Sequence, residues 1–282
     1  MNASDPVFDA AAERPFVLVF ANEKGGTGKS TLSFHAIVSL LKCGYSVGSI
    51  DADIRQGTLS RYLENRVATA GAHQGQLPVP DHVRLGDSGH HDETQDETAA
   101  VAEAQCVLAG FGGYDFVVID TPGTVNSLTC FAVSNADTLV SPINDSYVDI
   151  DVIAELNMAK REVVGPSQFT RLVWEASNRR IADRLPPTDW MVLRNRLTHI
   201  DSRNKRDIAD LMQKLASRIG FRSAAGFGER AVYRELFHSG LTVMDTSSDP
   251  ARRLSPSHAA AADEVIQLLR EIGIGDSEIA AI

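Results

Sequence analysis

Short apolar runs alternate along the chain with longer segments of helical period. Residues 16–20, 45–50, 116–119, 138–143 and 190–193 are short, mostly β-branched or aromatic, and read as buried strands. Between the first two, Leu32, Ala36, Ile37, Leu40 and Leu41 share one face of a helix predicted over Lys29–Lys42, with Gly44 as its stop. Ile208, Leu211, Met212, Leu215 and Ile219 mark a second helix over about 202–219. This alternation predicts an α/β fold, a doubly wound and mainly parallel sheet flanked by helices. The rhythm fails over 70–98, where prolines, glycines, histidines and the acidic run 90–97 predict a solvated surface excursion. His90 and His91 have no further ligands at fixed spacing, so they are a weak metal signal. One domain is expected over 15–275, with a flexible N-terminus at 1–14 and a tail at 276–282.

Composition narrows the class. Of 282 residues 43% are apolar and 23% charged, which excludes a wholly disordered, collagen-like or disulfide-stapled chain. A net charge of -10 gives no global attraction to nucleic acid or anionic membrane, so any such contact needs a local basic patch. Cys43, Cys106 and Cys130 are too scattered for a disulfide framework and are expected as buried, reduced thiols. No run approaches the roughly 20 apolar residues of a membrane span. The polar N-terminus lacks the features of a signal peptide. The acidic C-terminal segment is a poor membrane anchor, so a cytoplasmic location is expected.

The candidate chemistry begins directly after the first strand, at Glu23-Lys24-Gly25-Gly26-Thr27-Gly28-Lys29-Ser30-Thr31. Strand, glycine-rich loop and helix in that order are the setting of a phosphate-binding loop. Its glycines let backbone N–H groups turn toward phosphate oxygens, and the helix start adds its positive dipole end. Lys29 is placed to reach the β- and γ-phosphates, and the Ser30 hydroxyl to ligate Mg²⁺. The usual pattern has glycine at position 23; here Glu23 stands there, and Lys24 adds a second lysine.

This K-G-G-x-G-K-[ST] loop resembles the deviant Walker A loop of the MinD/ParA family of P-loop ATPases. The resemblance implies that residues Lys24, Gly25, Gly26, Thr27, Gly28, Lys29, Ser30 and Thr31 hold ATP. It also implies that Lys24 reaches the phosphates of a partner subunit, so that ATP drives homodimerisation. Asp51-Ala52-Asp53 matches the family's switch I, which implies that Asp53 orients the attacking water and Asp51 lies near the metal. Asp120-Thr121-Pro122-Gly123 matches Walker B and switch II, which implies Asp120 on Mg²⁺ and the Gly123 N–H on the γ-phosphate. In Arg194-Asn195-Arg196 the matching asparagine, Asn195, would read the adenine edge. A lone aspartate at a strand end is usually a turn residue. Three such signals in order behind a phosphate loop point to one site. Lys24, Lys29 and Asp53 are then the expected catalytic groups of a slow, dimerisation-dependent ATPase.

The branch of the family follows from features outside the loop. The chain has one phosphate loop and no basic amphipathic C-terminus, and Cys130 has no evident second cysteine for an iron–sulfur cluster. The DNA-associated positioning ATPases remain. Residues 171–234 hold 14 Arg and Lys against 7 Asp and Glu, in a chain that is acidic elsewhere. Arg203, Lys205, Arg206, Arg218, Arg222, Arg230 and Arg234 are the candidate contacts of a nonspecific DNA clamp. Arg206, Asp210, Lys214 and Arg218 also read as an ordinary solvated charge ladder. Asp53-Ile54-Arg55-Gln56, Pro142-Ile143-Asn144-Asp145-Ser146 and Tyr233-Arg234-Glu235-Leu236-Phe237 look like the MipZ division-plane positioning branch. That likeness implies a ParB-type centromere-binding partner, inhibition of FtsZ, and a cytoplasmic, nucleoid-associated protein. A ParA-type DNA partition ATPase, a P-loop ligase of the dethiobiotin synthetase type and a nucleotide-binding module without turnover remain open.

Overall fold

The computed structural model describes residues 14–72, 77–86, 97–157, 162–198, 203–247, 255–280 and 282. In chain order the elements are β1 (Phe16–Phe20), α1 (Lys29–Lys42), β2 (Val47–Asp51), α2 (Thr58–Ala72), β3 (Asp81–Arg84), α3 (Glu97–Gly110), β4 (Phe116–Asp120) and α4 (Ser127–Asn135). Then follow β5 (Thr138–Asn144), α5 (Tyr147–Ile150), β6 (Ala154–Asn157), β7 (Glu162–Pro166), α6 (Gln168–Ala182), β8 (Asp189–Asn195), α7 (Arg203–Leu215) and β9 (Arg222–Ala224). The chain closes with α8 (Val232–Glu235), α9 (Val243–Ser247), α10 (Pro256–Ile272) and α11 (Asp276–Ile279).

Seven strands form one parallel sheet in the order β3-β2-β4-β1-β5-β8-β9. From β1 the chain runs out to β2 and β3, returns to β4 beside β1, and then crosses to β5 on the other side. Topology therefore reverses around β1, and the carboxyl ends of β1, β4 and β5 open the crevice where such sheets bind ligands. Alternate residues of β1 serve opposite faces. Leu18 and Phe20 pack with α1 and α10 residues such as Phe34 and Leu269, whereas Val17 and Val19 pack with Phe169 and Trp190. Burial on both faces is why these strands read as unbroken apolar runs.

Four expectations change. The 70–98 segment is not all excursion: Asp81–Arg84 adds to the sheet beside β2, with Leu85 buried behind it. Its polar sequence hides a strand held by register with β2 and by His82, which bonds Ser49 and Ser60. Most of the acidic run lies outside the described residues. The helix expected over 202–219 stops at Leu215 and continues as a π-helical turn, Ala216–Gly220. The tail is not separate, because Ile279 of α11 is buried in the core. Of the cysteines, Cys106 is exposed on α3, and Cys43 and Cys130 are half-buried. Arg14 is tied to Asp137, and residues 1–13 lie outside the described set. Among the described residues no helix is long and apolar enough to cross a membrane.

Candidate functional site

β1 delivers the chain to Asn22, a fully buried residue that organises the loop after it. Its Nδ2 donates to Thr27 Oγ1 (2.9 Å) and to the Pro142 carbonyl, and its Oδ1 accepts from the Lys24 N–H and from Lys29 Nζ (both 3.0 Å). Lys29 Nζ also donates to the Lys24 carbonyl (2.9 Å), so the buried ammonium is held inside the curve of the loop. Burial lowers its pKa, while the charges of Asp120 and Asp53 raise it. Gly26 and Gly28 sit at φ 72° and 94°, the left-handed region that glycine enters without strain. At Gly28 a side chain would also collide with Asn195, because a Cβ would lie 2.2 Å from its Nδ2. Lys24 points elsewhere. Its ammonium pairs with Asp149 on α5 of the same chain and donates to the Val148 carbonyl.

Three carboxylates close the other side. Asp51, at the end of β2, is buried and accepts from the Asp53 N–H and from the Ser60 N–H and hydroxyl. Asp120, in register with it at the end of β4, is fully buried. Burial and then the Asp51 charge push the Asp120 pKa up to about 7, against the pull of Ser30, Lys29 and Ser33. Its Oδ2 has no hydrogen-bond partner among the described residues. A buried acceptor left unpaired is costly unless a cation completes it. With Ser30 it makes a hard-oxygen donor set that suits Mg²⁺. Asp53 accepts from the Gln56 N–H (3.0 Å) and lines a cavity of about 200 Å³ with Lys29, Ser30, Gln56, Thr58, Gly123 and Arg196. Gly123 lies against the loop so closely that a Cβ there would stand 2.7 Å from the Gly25 nitrogen.

The family profile described as "ATPase MipZ" matches residues 16–275. The chain belongs to the MipZ ATPase family. Its curated relatives include the chromosome partitioning protein ParA of Caulobacter vibrioides, 27% identical over 176 residues. That match covers 53% of this chain and 63% of the relative, so the chain spans less than two thirds of that protein's length. The maintenance of carboxysome distribution protein A of Halothiobacillus neapolitanus is 26% identical over 93% of this chain and 98% of its own. Among solved structures, an ATP complex of an McdA variant from Cyanothece superposes with TM-score 0.61 at 16% identity, covering 94% of this chain and 98% of its own. MinD with Mg-ADP from Pyrococcus horikoshii gives 0.53 at 16% identity, covering 89% and 94%. These superpositions establish the fold, a parallel sheet of the MinD/ParA type.

Around the MipZ-type loop the structure gathers residues that the sequence motifs do not announce. A second cavity of about 90 Å³ adjoins the first, sharing Gly28, Thr31 and Arg196, and is walled by Tyr62, Asn195, Phe227 and Tyr233. Asn195 lines it and also ties β8 to the loop, its Nδ2 donating to the Thr27 carbonyl (2.7 Å). Asn22 and Arg196 stand at the edges of sequence motifs that assign them no role, and Tyr62 stands in none; the cavity that joins Tyr62 and Arg196 forms only in the fold. The seven basic candidates separate. Arg206, Arg218 and Arg234 are exposed, and the side chains of Arg203 and Lys205 lie outside the described residues. Arg222 and Arg230 are engaged by carboxylates of the same chain. Arg222 forks onto Asp189 and donates to the Glu271 carbonyl, while Arg230, nearly buried, forks onto Glu264. Among the described residues no cluster of three His, Cys, Asp or Glu side chains could hold a metal ion.

Proposed function

We propose that this MipZ-family ATPase is a Mg·ATP-driven dimerisation switch that binds DNA nonspecifically and helps to place the division site. The observation that carries the nucleotide reading is Asp120, whose unpaired carboxylate oxygen is buried beside Lys29, at the foot of a glycine loop open to solvent. Ser30 and Asp120, with Asp51 behind them, would hold Mg²⁺, which supplies charge neutralisation at the β- and γ-phosphates. The loop residues 24–31 would cradle the phosphates, with Lys29 adding positive charge and the Gly123 N–H meeting the γ-phosphate. Asp53 would hold the attacking water in line, and Asn195 would face the base.

Lys24 sits at the rim, half-buried and paired with Asp149. On this reading it leaves Asp149 and crosses to the phosphates of a second copy, so hydrolysis is slow until the dimer forms. The exposed cations Arg206, Arg218 and Arg234, doubled in the dimer, would supply salt-sensitive phosphate contacts without sequence preference. Control by a ParB-type protein, inhibition of FtsZ and nucleoid association in the cytoplasm belong to the same reading and rest on the family alone.

The test is light scattering of the Asp53→Ala protein with ADP and with ATP, each with and without random-sequence duplex DNA. An ATP-only dimer that alone retains DNA is expected. A monomer in both nucleotides would overturn the switch and favour a metabolic P-loop enzyme.

A further inference from the structure

Arg196 occupies a backbone conformation that side chains disfavour. Its φ is +55°, and among the described residues Arg184 is the other non-glycine residue with positive φ. Hydrogen bonds on both sides hold it there. The Arg196 N–H donates to Asn195 Oδ1, and the Phe227 N–H donates to the Arg194 carbonyl (both 2.9 Å). The Leu197 N–H donates to the Phe227 carbonyl and the Glu229 N–H to the Leu197 carbonyl, again at 2.9 Å. Asn195 in turn is fastened to the Thr27 carbonyl, so the strained residue is locked to the phosphate loop itself.

The result of that strain is a placement. Arg196 lines the phosphate cavity with Lys29 and Asp53, and it also lines the adjoining cavity with Tyr62 and Tyr233. Its neighbours Arg194, Arg222 and Arg230 are consumed by Asp145, Asp189 and Glu264. The Arg196 guanidinium makes no hydrogen bond or ion pair among the described residues. On the reading above, with the base in the smaller cavity and the terminal phosphates on the loop, the α-phosphate would lie at the junction that Gly28, Thr31 and Arg196 share.

We propose that Arg196 is a positioning cation for the α-phosphate of the bound nucleotide, which rests on the nucleotide reading above. An α-phosphate is common to ADP and ATP, so Arg196 anchors both forms and takes no part in telling them apart. The residue sets how tightly nucleotide is held, while Lys24 and Gly123 report whether a γ-phosphate is present.

Calorimetric titration of Mg-ADP and of a non-hydrolysable Mg-ATP analogue into the wild type, Arg196→Ala and Arg196→Gly tests this. Both variants are expected to weaken both nucleotides alike, by about tenfold, as for the loss of one charged hydrogen bond. Arg196→Gly separates function from structure, because glycine accepts φ +55° without strain. Its nucleotide-free melting temperature is expected at or above the wild-type value while its affinity falls. Unchanged affinity in Arg196→Ala would overturn the proposal, and a loss confined to the ATP analogue would move the guanidinium to the γ-phosphate and overturn it too. A wild type that binds neither nucleotide would overturn the nucleotide reading and this inference together.

Discussion

Gly123 and Lys24 show how much of the site rests on single positions. Gly123 approaches the Lys24-Gly25 peptide so closely that an added Cβ would meet backbone atoms at 2.7 to 2.9 Å, with no flexible side chain to give way. Gly123→Ala is therefore expected to push switch II off the loop and weaken nucleotide by on the order of tenfold. Equilibrium dialysis with labelled ADP and ATP measures it, and wild-type affinity would show that the two segments separate freely. Lys24 is bound to its own Asp149, which is nearly buried, while the lysine is about one-third exposed. On the proposed reading that pair must open before a dimer closes. Asp149→Asn keeps the shape and removes the charge, so the ATP-bound dimer is expected to form at severalfold lower protein concentration. The gain is modest because the pair is partly screened by solvent. Sedimentation across a concentration series reads it directly. A weaker dimer would mean that Asp149 acts in the dimer and does not restrain the monomer.

Helix α2 meets the C-terminal part of the chain through one buried arginine. Arg66 on α2 is wholly enclosed, forks onto Asp245 of α9, and donates to the Gly240 and Pro78 carbonyls. Gly240 makes this possible. It lies at φ +58°, and a Cβ there would fall 2.1 Å from the Arg66 nitrogen. Asp245 keeps Lys42 at 3.6 Å and the Thr242 donors but loses its main buried partner, so Arg66→Ala is expected to cost about 3 kcal/mol, the low end for breaking a buried pair. Urea unfolding should show a lower midpoint with little change in slope. A loss below about 1 kcal/mol would mean that water replaces the guanidinium. The helix α1, by contrast, needs no such joint: from Leu32 to Leu40 it is buried continuously, and its boundaries match those read from periodicity.

Acid sensitivity is a property of the whole molecule, and His35 of α1 is one source of it. The ring is buried against Tyr233 and Phe34, its Nδ1 donates to the Thr31 carbonyl, and its Nε2 faces the Val243 N–H. Burial lowers its pKa to about 4, with the Thr31 bond and Asp245 opposing that shift and Arg66 adding to it. The unfolded chain, with a pKa near 6.5, then binds the proton more readily than the folded one between the two values. Stability from this group is complete above pH 6.5 and is lost as pH falls toward 4, by about 3 kcal/mol. His35→Gln should flatten that limb of the urea midpoint-versus-pH curve. An unaltered limb would assign the acid sensitivity to other groups.

The glycine-rich loop was legible in the sequence because its residues are contiguous. One strand, one turn and one helix start bring Lys24, Lys29 and Ser30 together within a few residues, and period-two and period-3.6 patterns mark the strands and helices around them. Strand β3 was hidden, because Asp81, His82 and Arg84 give no apolar run and pair only once β2 is in place. The cavity beside the loop was hidden for a related reason, since Tyr62, Arg196 and Tyr233 converge from α2, the end of β8 and α8.

By itself the sequence determined the α/β order, the place of the glycine-rich loop between β1 and α1 and the acidic residues at the ends of β2 and β4, all of which are local. Only the tertiary structure decided which carboxylates several of the arginines meet. Arg222 and Arg230 meet carboxylates 33 and 34 residues away, whereas Arg196 is left facing the cavities. Ion pairing is settled by neighbours that chain crossovers bring together, and no window along the sequence contains them.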